Sequence, residues 1–175
     1  MEDKIKTSKF LSLILRHKPE AAGISLDENG WAKFDEILKV LKISKKQLNE
    51  IVESDDKKRF ALNVKRTLIR ASQGHSIRVN VGLEEKKPPK ILYHGTSKNK
   101  EEILMKEGIK RMKRLHVHLS DTREKAYKVG QRHGNPIVFK VLARKMHEDG
   151  FQFFLSENEV WLTDYIPIDY ISIRT

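Results

Sequence analysis

The chain has 175 residues, with 35 Lys and Arg against 24 Asp and Glu, a formal net charge of +11. That length suits one domain or two small lobes, and the charge invites an anionic partner, nucleic acid first. The absence of Cys excludes a disulfide, a thiol nucleophile and any Cys-based zinc or iron–sulfur site. No apolar run approaches the roughly 20 residues of a membrane span, and Met1 to Lys6 lacks a signal-peptide core. The expectation is a cytoplasmic protein with no membrane association.

In chain order, Thr7 or Ser8 is placed to cap a first helix. Its apolar stripe takes in Phe10, Leu11, Leu13, Ile14 and Leu15, and Pro19 ends it near His17. Arg16 and His17 then fall in a last helical turn. A second helix is predicted over Phe34 to Leu41, and a third after Ser44, which stands at capping-box spacing from Gln47. Two short alternating runs follow, Arg59 to Leu62 and Thr67 to Arg70, joined through Asn63 to Arg66 as a hairpin. Three helices followed by a hairpin is the order of a winged helix.

Glu84-Glu85-Lys86-Lys87-Pro88-Pro89-Lys90 combines charge with consecutive prolines, which lack backbone donors and favour an extended path. It reads as a linker, giving a lobe over 1–85, a link over 86–90 and a second lobe over 91–175. Both sides are basic: residues 1–85 carry 17 basic and 13 acidic side chains, residues 86–175 carry 18 and 11.

The second lobe opens with a strand, Lys90 to His94, and a helix over Asn99 to Lys106 closed by Gly108. A strand over His116 to Leu119, a helix capped by Ser120 or Asp121, and a strand over Ile137 to Val141 come next. Phe151 to Leu155 and Val160 to Thr163 read as hairpin arms, and Ile166 to Ile173 as the last strand. The whole is α+β.

Several clusters carry chemistry. Arg16 and His17 with Lys18 at a helix C-terminus either complement the helix dipole or form a phosphate fork. Lys57-Lys58-Arg59-Phe60 is either a solvated charge run or a basic edge for a nucleic-acid backbone. Arg70, Gln73 and His75 bring together side chains suited to gripping ribose and phosphate. At Tyr93-His94-Gly95-Thr96-Ser97, Gly95 permits a close backbone approach by a ligand or simply serves a strand-to-helix turn. His116 and His118 share a strand face, but no third ligand accompanies them, which favours a polar pocket over a zinc site. No P-loop or Gly-x-Gly-x-x-Gly is present.

Taken together the motifs resemble those of the tRNA 2′-phosphotransferases, the NAD-dependent RNA 2′-phosphotransferase family. The matching stretches are Ser8-Lys9-Phe10-Leu11-Ser12 with Leu15-Arg16-His17-Lys18-Pro19, Gly30-Trp31, Lys57-Lys58-Arg59-Phe60, Ile69-Arg70-Ala71 with Gln73-Gly74-His75-Ser76, Leu92-Tyr93-His94-Gly95-Thr96, Val117-His118-Leu119-Ser120, Arg132-His133-Gly134 and Val160-Trp161-Leu162-Thr163. They run in order through almost the whole chain.

The resemblance implies an N-terminal winged-helix RNA lobe and a C-terminal ADP-ribosyltransferase-like lobe that binds NAD. It implies transfer of an internal RNA 2′-phosphate, as left at a tRNA splice junction, to NAD. The products are a 2′-hydroxyl RNA, nicotinamide and ADP-ribose 1″,2″-cyclic phosphate, reached through an ADP-ribosylated RNA phosphate. The family's catalytic tetrad falls on Arg16, His17, Arg59 and Arg114, although Leu115 follows Arg114 where the family often has an aromatic residue or His. Lys18, Arg70, Gln73 and His75 are expected to bind RNA or phosphate. His94, Gly95, Thr96, Ser97, Asn99, His118, Leu119 and Ser120 are expected to line the NAD site. No metal is expected, and the working form is expected to be a monomer.

Overall fold

In the computed structural model, which describes residues 2–173, α1 spans Glu2–Arg16 and so begins before the expected caps. Its end agrees with the expectation. A 3-10 turn, Pro19–Ala22, takes over behind Pro19 and is closed by Gly23 at φ 63, a left-handed position that Gly occupies without steric cost. Leu11, Ile14 and Leu15 are fully buried, whereas Phe10 and Leu13 are 37% and 36% exposed, so the buried stripe is narrower than predicted. The chain divides into two compact units, Met1–Gly82 and Leu83–Thr175.

In the first unit β1 (Ala32–Lys33) leads into α2 (Phe34–Leu41), and α3 (Lys45–Glu53) follows. Ser44 and Gln47 form the full reciprocal capping box, satisfying two donors of the first helical turn. β2 (Phe60–Leu62) and β3 (Leu68–Ala71) are the predicted hairpin arms, antiparallel with Phe60 opposite Ala71 and Leu62 opposite Ile69. β1 adds itself to β3, giving the order β1-β3-β2. A two-residue strand has no periodicity to read, which is why the sequence does not announce it. The core gathers Leu11, Ile14 and Leu15 of α1, Phe34 and Ile37 of α2, Leu48 and Ile51 of α3, and Phe60 and Ile69 of the sheet.

In the second unit β4 (Leu92–Ser97) is followed by a 3-10 turn, Lys98–Lys100, and by α4 (Glu101–Glu107). Gly108 closes α4 as expected, its N–H donating to the Leu104 carbonyl. Then come β5 (Ile109–Lys110), β6 (Val117–Leu119), α5 (Arg123–Gly130), β7 (Pro136–Val141) and α6 (Ala143–Glu148). Thr122, not Ser120 or Asp121, caps α5 by accepting from the Lys125 N–H. β8 (Phe154–Leu155) and β9 (Trp161–Thr163) form the predicted hairpin. The last predicted strand is broken at Pro167 into β10 (Tyr165–Ile166), a 3-10 turn, Ile168–Tyr170, and β11 (Ile171–Ser172). Proline removes the ladder donor there.

The strands form three small antiparallel sheets, β11-β7-β4, β6-β9-β8 and β10-β5. Leu92, Leu119, Phe139, Val141, Met146 and Phe153 lie at the centre of the second core. The mixture of helices and small sheets is α+β, as expected.

The charged Pro-Pro segment is not the free link that its composition suggests. Glu85 bridges to Phe154, Lys86 N–H donates to the Phe153 carbonyl, and buried Pro88 accepts from Arg144 Nε at 2.8 Å. It packs on the second unit, and the division falls just before it.

Candidate functional site

In the first unit the end of α1, the turn before β2 and the segment after β3 bring sequence-distant cations together. Arg16 Nη2 donates to the Arg59 carbonyl at 3.4 Å. The Arg16 carbonyl accepts from Ser76 N–H at 2.9 Å, and Ser76 Oγ lies 2.9 Å from His17 Nδ1. Gly74 sits against Arg16, whose guanidinium is 3.7 Å from the place of a Cβ at that position. Arg59 also pairs through Nη1 with Asp55. His17 and Arg59 border an open groove of about 620 Å³ whose lining includes Ser8, Lys9, Ser12 and Lys57.

The other residues expected to bind RNA here take different positions. Lys18 is exposed and Gln73 half-buried. Arg70 lies over the Trp31 ring at 4.5 Å, and its Nη1 donates to the Val81 carbonyl. Such a cation over an aromatic face braces the fold. His75 is only 2% exposed, and its pKa falls to about 4, first through burial and then through Arg16, His17 and Arg70. Its ring is neutral and lies inside the fold, beside the charges of Arg16, His17 and Arg70.

In the second unit β4 and β6 meet through one bridge, in which Tyr93 and Ser120 exchange backbone bonds of 2.9 and 2.8 Å. Successive strand residues face opposite edges, so Gly95 presents its N–H and C=O to the same edge as Tyr93. Among the described residues that edge of Gly95 has no backbone partner.

His94 Nδ1 lies 3.0 Å from the His118 carbonyl, and His118 Nδ1 lies 3.0 Å from the His116 carbonyl. A carbonyl only accepts, so each Nδ1 carries the proton. Burial lowers the pKa of His94, the bond to His118 opposes that shift, and Arg114 and His133 lower it further. The neutral His94 ring therefore keeps Nε2 as an acceptor.

Gly95 is required for a reason the sequence hides. A Cβ there would stand 1.7 Å from the Ala126 carbonyl, and one at Gly130 would stand 2.8 Å from the Thr96 carbonyl. Glycine lets α5 lie directly on β4, so a helix covers one face of the buried Gly95, whose edge lacks a backbone partner among the described residues. Thr96 and Ser120 are half-buried, Asn99 is exposed, and Ser97 and Leu119 are buried at 8% and 2%. The Leu119 side chain belongs to the core of the second unit.

Arg114 lies in the exposed loop between β5 and β6, its N–H donating to the Arg111 carbonyl. Partial withdrawal from water and then Arg132 lower its pKa. His116 approaches Asp164 at 3.9 Å and packs beside Phe154. Among the described residues no three His, Asp or Glu side chains gather as metal ligands, and no helix is long and apolar enough to cross a membrane.

Sequence reasoning missed Asp55 and the particular part of Ser76. Asp55 lies in the turn after α3, where its spacing from Arg59 carries no helical signal. Ser76 was visible as part of a motif, but nothing in the sequence tied it to His17.

Comparison with known proteins matches residues 2–165 to the family described as RNA 2′-phosphotransferase, Tpt1/KptA family. A probable RNA 2′-phosphotransferase of Flavobacterium johnsoniae is 51% identical over 173 residues, covering 96% of this chain and 95% of that protein. One from Fusobacterium nucleatum is 46% identical over 98% of this chain and 99% of its own length. One from Nostoc punctiforme is 44% identical over 95% of each. With the match running through both units, the chain belongs to the Tpt1/KptA family of RNA 2′-phosphotransferases.

Proposed function

We propose that the chain removes an internal RNA 2′-phosphate, such as one at a tRNA splice junction, by transferring it to NAD through an ADP-ribosylated RNA phosphate. The observation that carries this reading is the linkage of Arg16, His17 and Arg59 through the Arg59 carbonyl and Ser76. With the Arg16 guanidinium on the Arg59 backbone and the His17 ring on Ser76, these residues suit a dianionic phosphate, which needs orientation and charge stabilisation more than a strong base.

Bound NAD supplies a ribose carbon open to attack by the phosphate and a 2″-hydroxyl that then takes the phosphoryl group, leaving nicotinamide and ADP-ribose 1″,2″-cyclic phosphate. In the second unit the unpaired edge N–H and C=O of Gly95 complement a carboxamide, and His94 Nε2 is an acceptor for a ribose hydroxyl. Those features fit a nicotinamide nucleoside.

In the first unit Arg16 and Arg59 hold the phosphoryl oxygens while negative charge builds on them, as fixed donors do without reorganising. His17, whose Nδ1 lies 2.9 Å from Ser76 Oγ, gives a proton to the departing RNA 2′-oxygen. Arg114 joins this set by family resemblance. The strand order β1-β3-β2 with its three helices supports a winged-helix reading of the first unit. The edge of β4 that opens beyond Tyr93 supports an ADP-ribosyltransferase-like reading of the second.

The test is the NAD requirement. An RNA with one internal 2′-phosphate is incubated with the protein, with and without NAD and with a chelator. Phosphate loss that needs NAD and survives the chelator supports the reading. Loss without NAD, or a lasting ADP-ribosyl adduct as sole product, refutes it.

A further inference from the structure

Asp55 precedes the Lys57-Lys58-Arg59 run and looks like one more surface charge, yet its side chain is only 6% exposed. Oδ2 accepts from the Arg59 N–H at 2.6 Å, while Oδ1 accepts from Lys57 N–H at 3.3 Å and pairs with Arg59 Nη1. Lys58 N–H closes the turn onto the Asp55 carbonyl at 2.8 Å. On its other side, the Arg59 carbonyl accepts from Ser72 N–H at 2.9 Å and from Arg16 Nη2. Backbone and side chain of Arg59 are therefore both fixed.

A guanidinium is a rigid planar fork with five N–H donors. Asp55 takes donors at Nη1, while Nε and Nη2 make no hydrogen bond among the described residues. Asp55, Arg59 and His17 all border the same groove. Beside an anion-binding arginine, a carboxylate weakens attraction for phosphate but removes rotamer freedom before the phosphate arrives. Where geometry limits the reaction, the second effect is the useful one.

We infer that Asp55 is a positioning residue: it clamps the Nη1 edge of Arg59 so that the Nε and Nη2 donors are aimed at the RNA 2′-phosphate. The inference rests on the reading of Arg59 as a phosphate ligand, and its test separates the two. The full chain is titrated, without NAD, with an oligonucleotide carrying one internal 2′-phosphate and with the same oligonucleotide lacking it. The Kd without the phosphate divided by the Kd with it reports recognition of that phosphate.

Asp55→Ala lowers the ratio about tenfold, the scale of one charge-assisted bond. Asp55→Asn, which keeps one acceptor oxygen, falls between, and Asp55→Ala adds nothing in an Arg59→Ala background. An unchanged ratio in Asp55→Ala overturns the inference if Arg59→Ala loses the preference. So does an equal loss from Asp55→Ala with and without Arg59, which marks general loosening. If Arg59→Ala itself keeps the preference, the reading of Arg59 falls and the inference with it. Thermal unfolding checks each variant; should the Ala variant not fold, the Asn variant decides, with an unchanged ratio overturning the inference.

Discussion

The hydroxyl oxygen of Ser76 lies 2.9 Å from Nδ1 of His17, two residues separated by 59 positions in sequence. The same serine uses its backbone N–H to hold the carbonyl of Arg16. One residue after β3 thus fixes the last turn of α1 from both its side chain and its backbone.

Ser76→Ala removes the side-chain half of that grip and leaves the backbone half. A hydrogen bond of this kind contributes about 1 kcal/mol, so kcat is expected to fall about fivefold. The KM for NAD stays unchanged, and the melting temperature moves little. Steady-state kinetics with both substrates check this, and an unchanged kcat takes Ser76 out of the account of His17.

His75 makes stability depend on pH. Its pKa is about 4 in the folded chain and near the ordinary 6.5 when unfolded. Below pH 6.5 the unfolded state takes up a proton that the folded state refuses until about pH 4. Stability is therefore full above the unfolded value and declines as pH falls between the two, by about 3 kcal/mol at the limit. Unfolding measured from pH 7.5 to 4.5 should show that slope, flattened in His75→Gln. Burial also lowers the pKa of His94 and His116, so part of the slope persists in the variant.

Gly95→Ala tests why glycine stands on β4. Its Cβ would meet the Ala126 carbonyl at 1.7 Å, and backbone cannot swing aside as a flexible side chain does. The expected cost is about 3 kcal/mol or more, since α5 must lift from the strand. Denaturant unfolding reads it directly. A variant of normal stability would show that α5 does not rest on β4 as described.

Much of the first unit was legible because its signals are local. Pro19 stops α1, Ser44 and Gln47 cap α3, and alternation marks β2 and β3. What escaped depends on contacts between distant residues. β1 is a strand only because β3 lies beside it, and Pro88 is buried only because the second unit receives it.

The candidate site divides in the same way. Arg16, His17 and Arg59 were recognisable as motifs, and the structure adds what ties them together. The chemistry of Arg70 and His75 suits an RNA contact, and the structure adds that one lies over Trp31 and the other is buried. A residue type states what a side chain can bond to, whereas its neighbours decide what it does bond to.

In the proposed reaction one RNA 2′-phosphate leaves on one NAD. The direct measurement follows a labelled internal 2′-phosphate while nicotinamide release is counted in the same reaction. One nicotinamide is expected per phosphate removed, with the label recovered in ADP-ribose 1″,2″-cyclic phosphate and the RNA left with a 2′-hydroxyl. Label recovered as inorganic phosphate, with NAD intact, would contradict it.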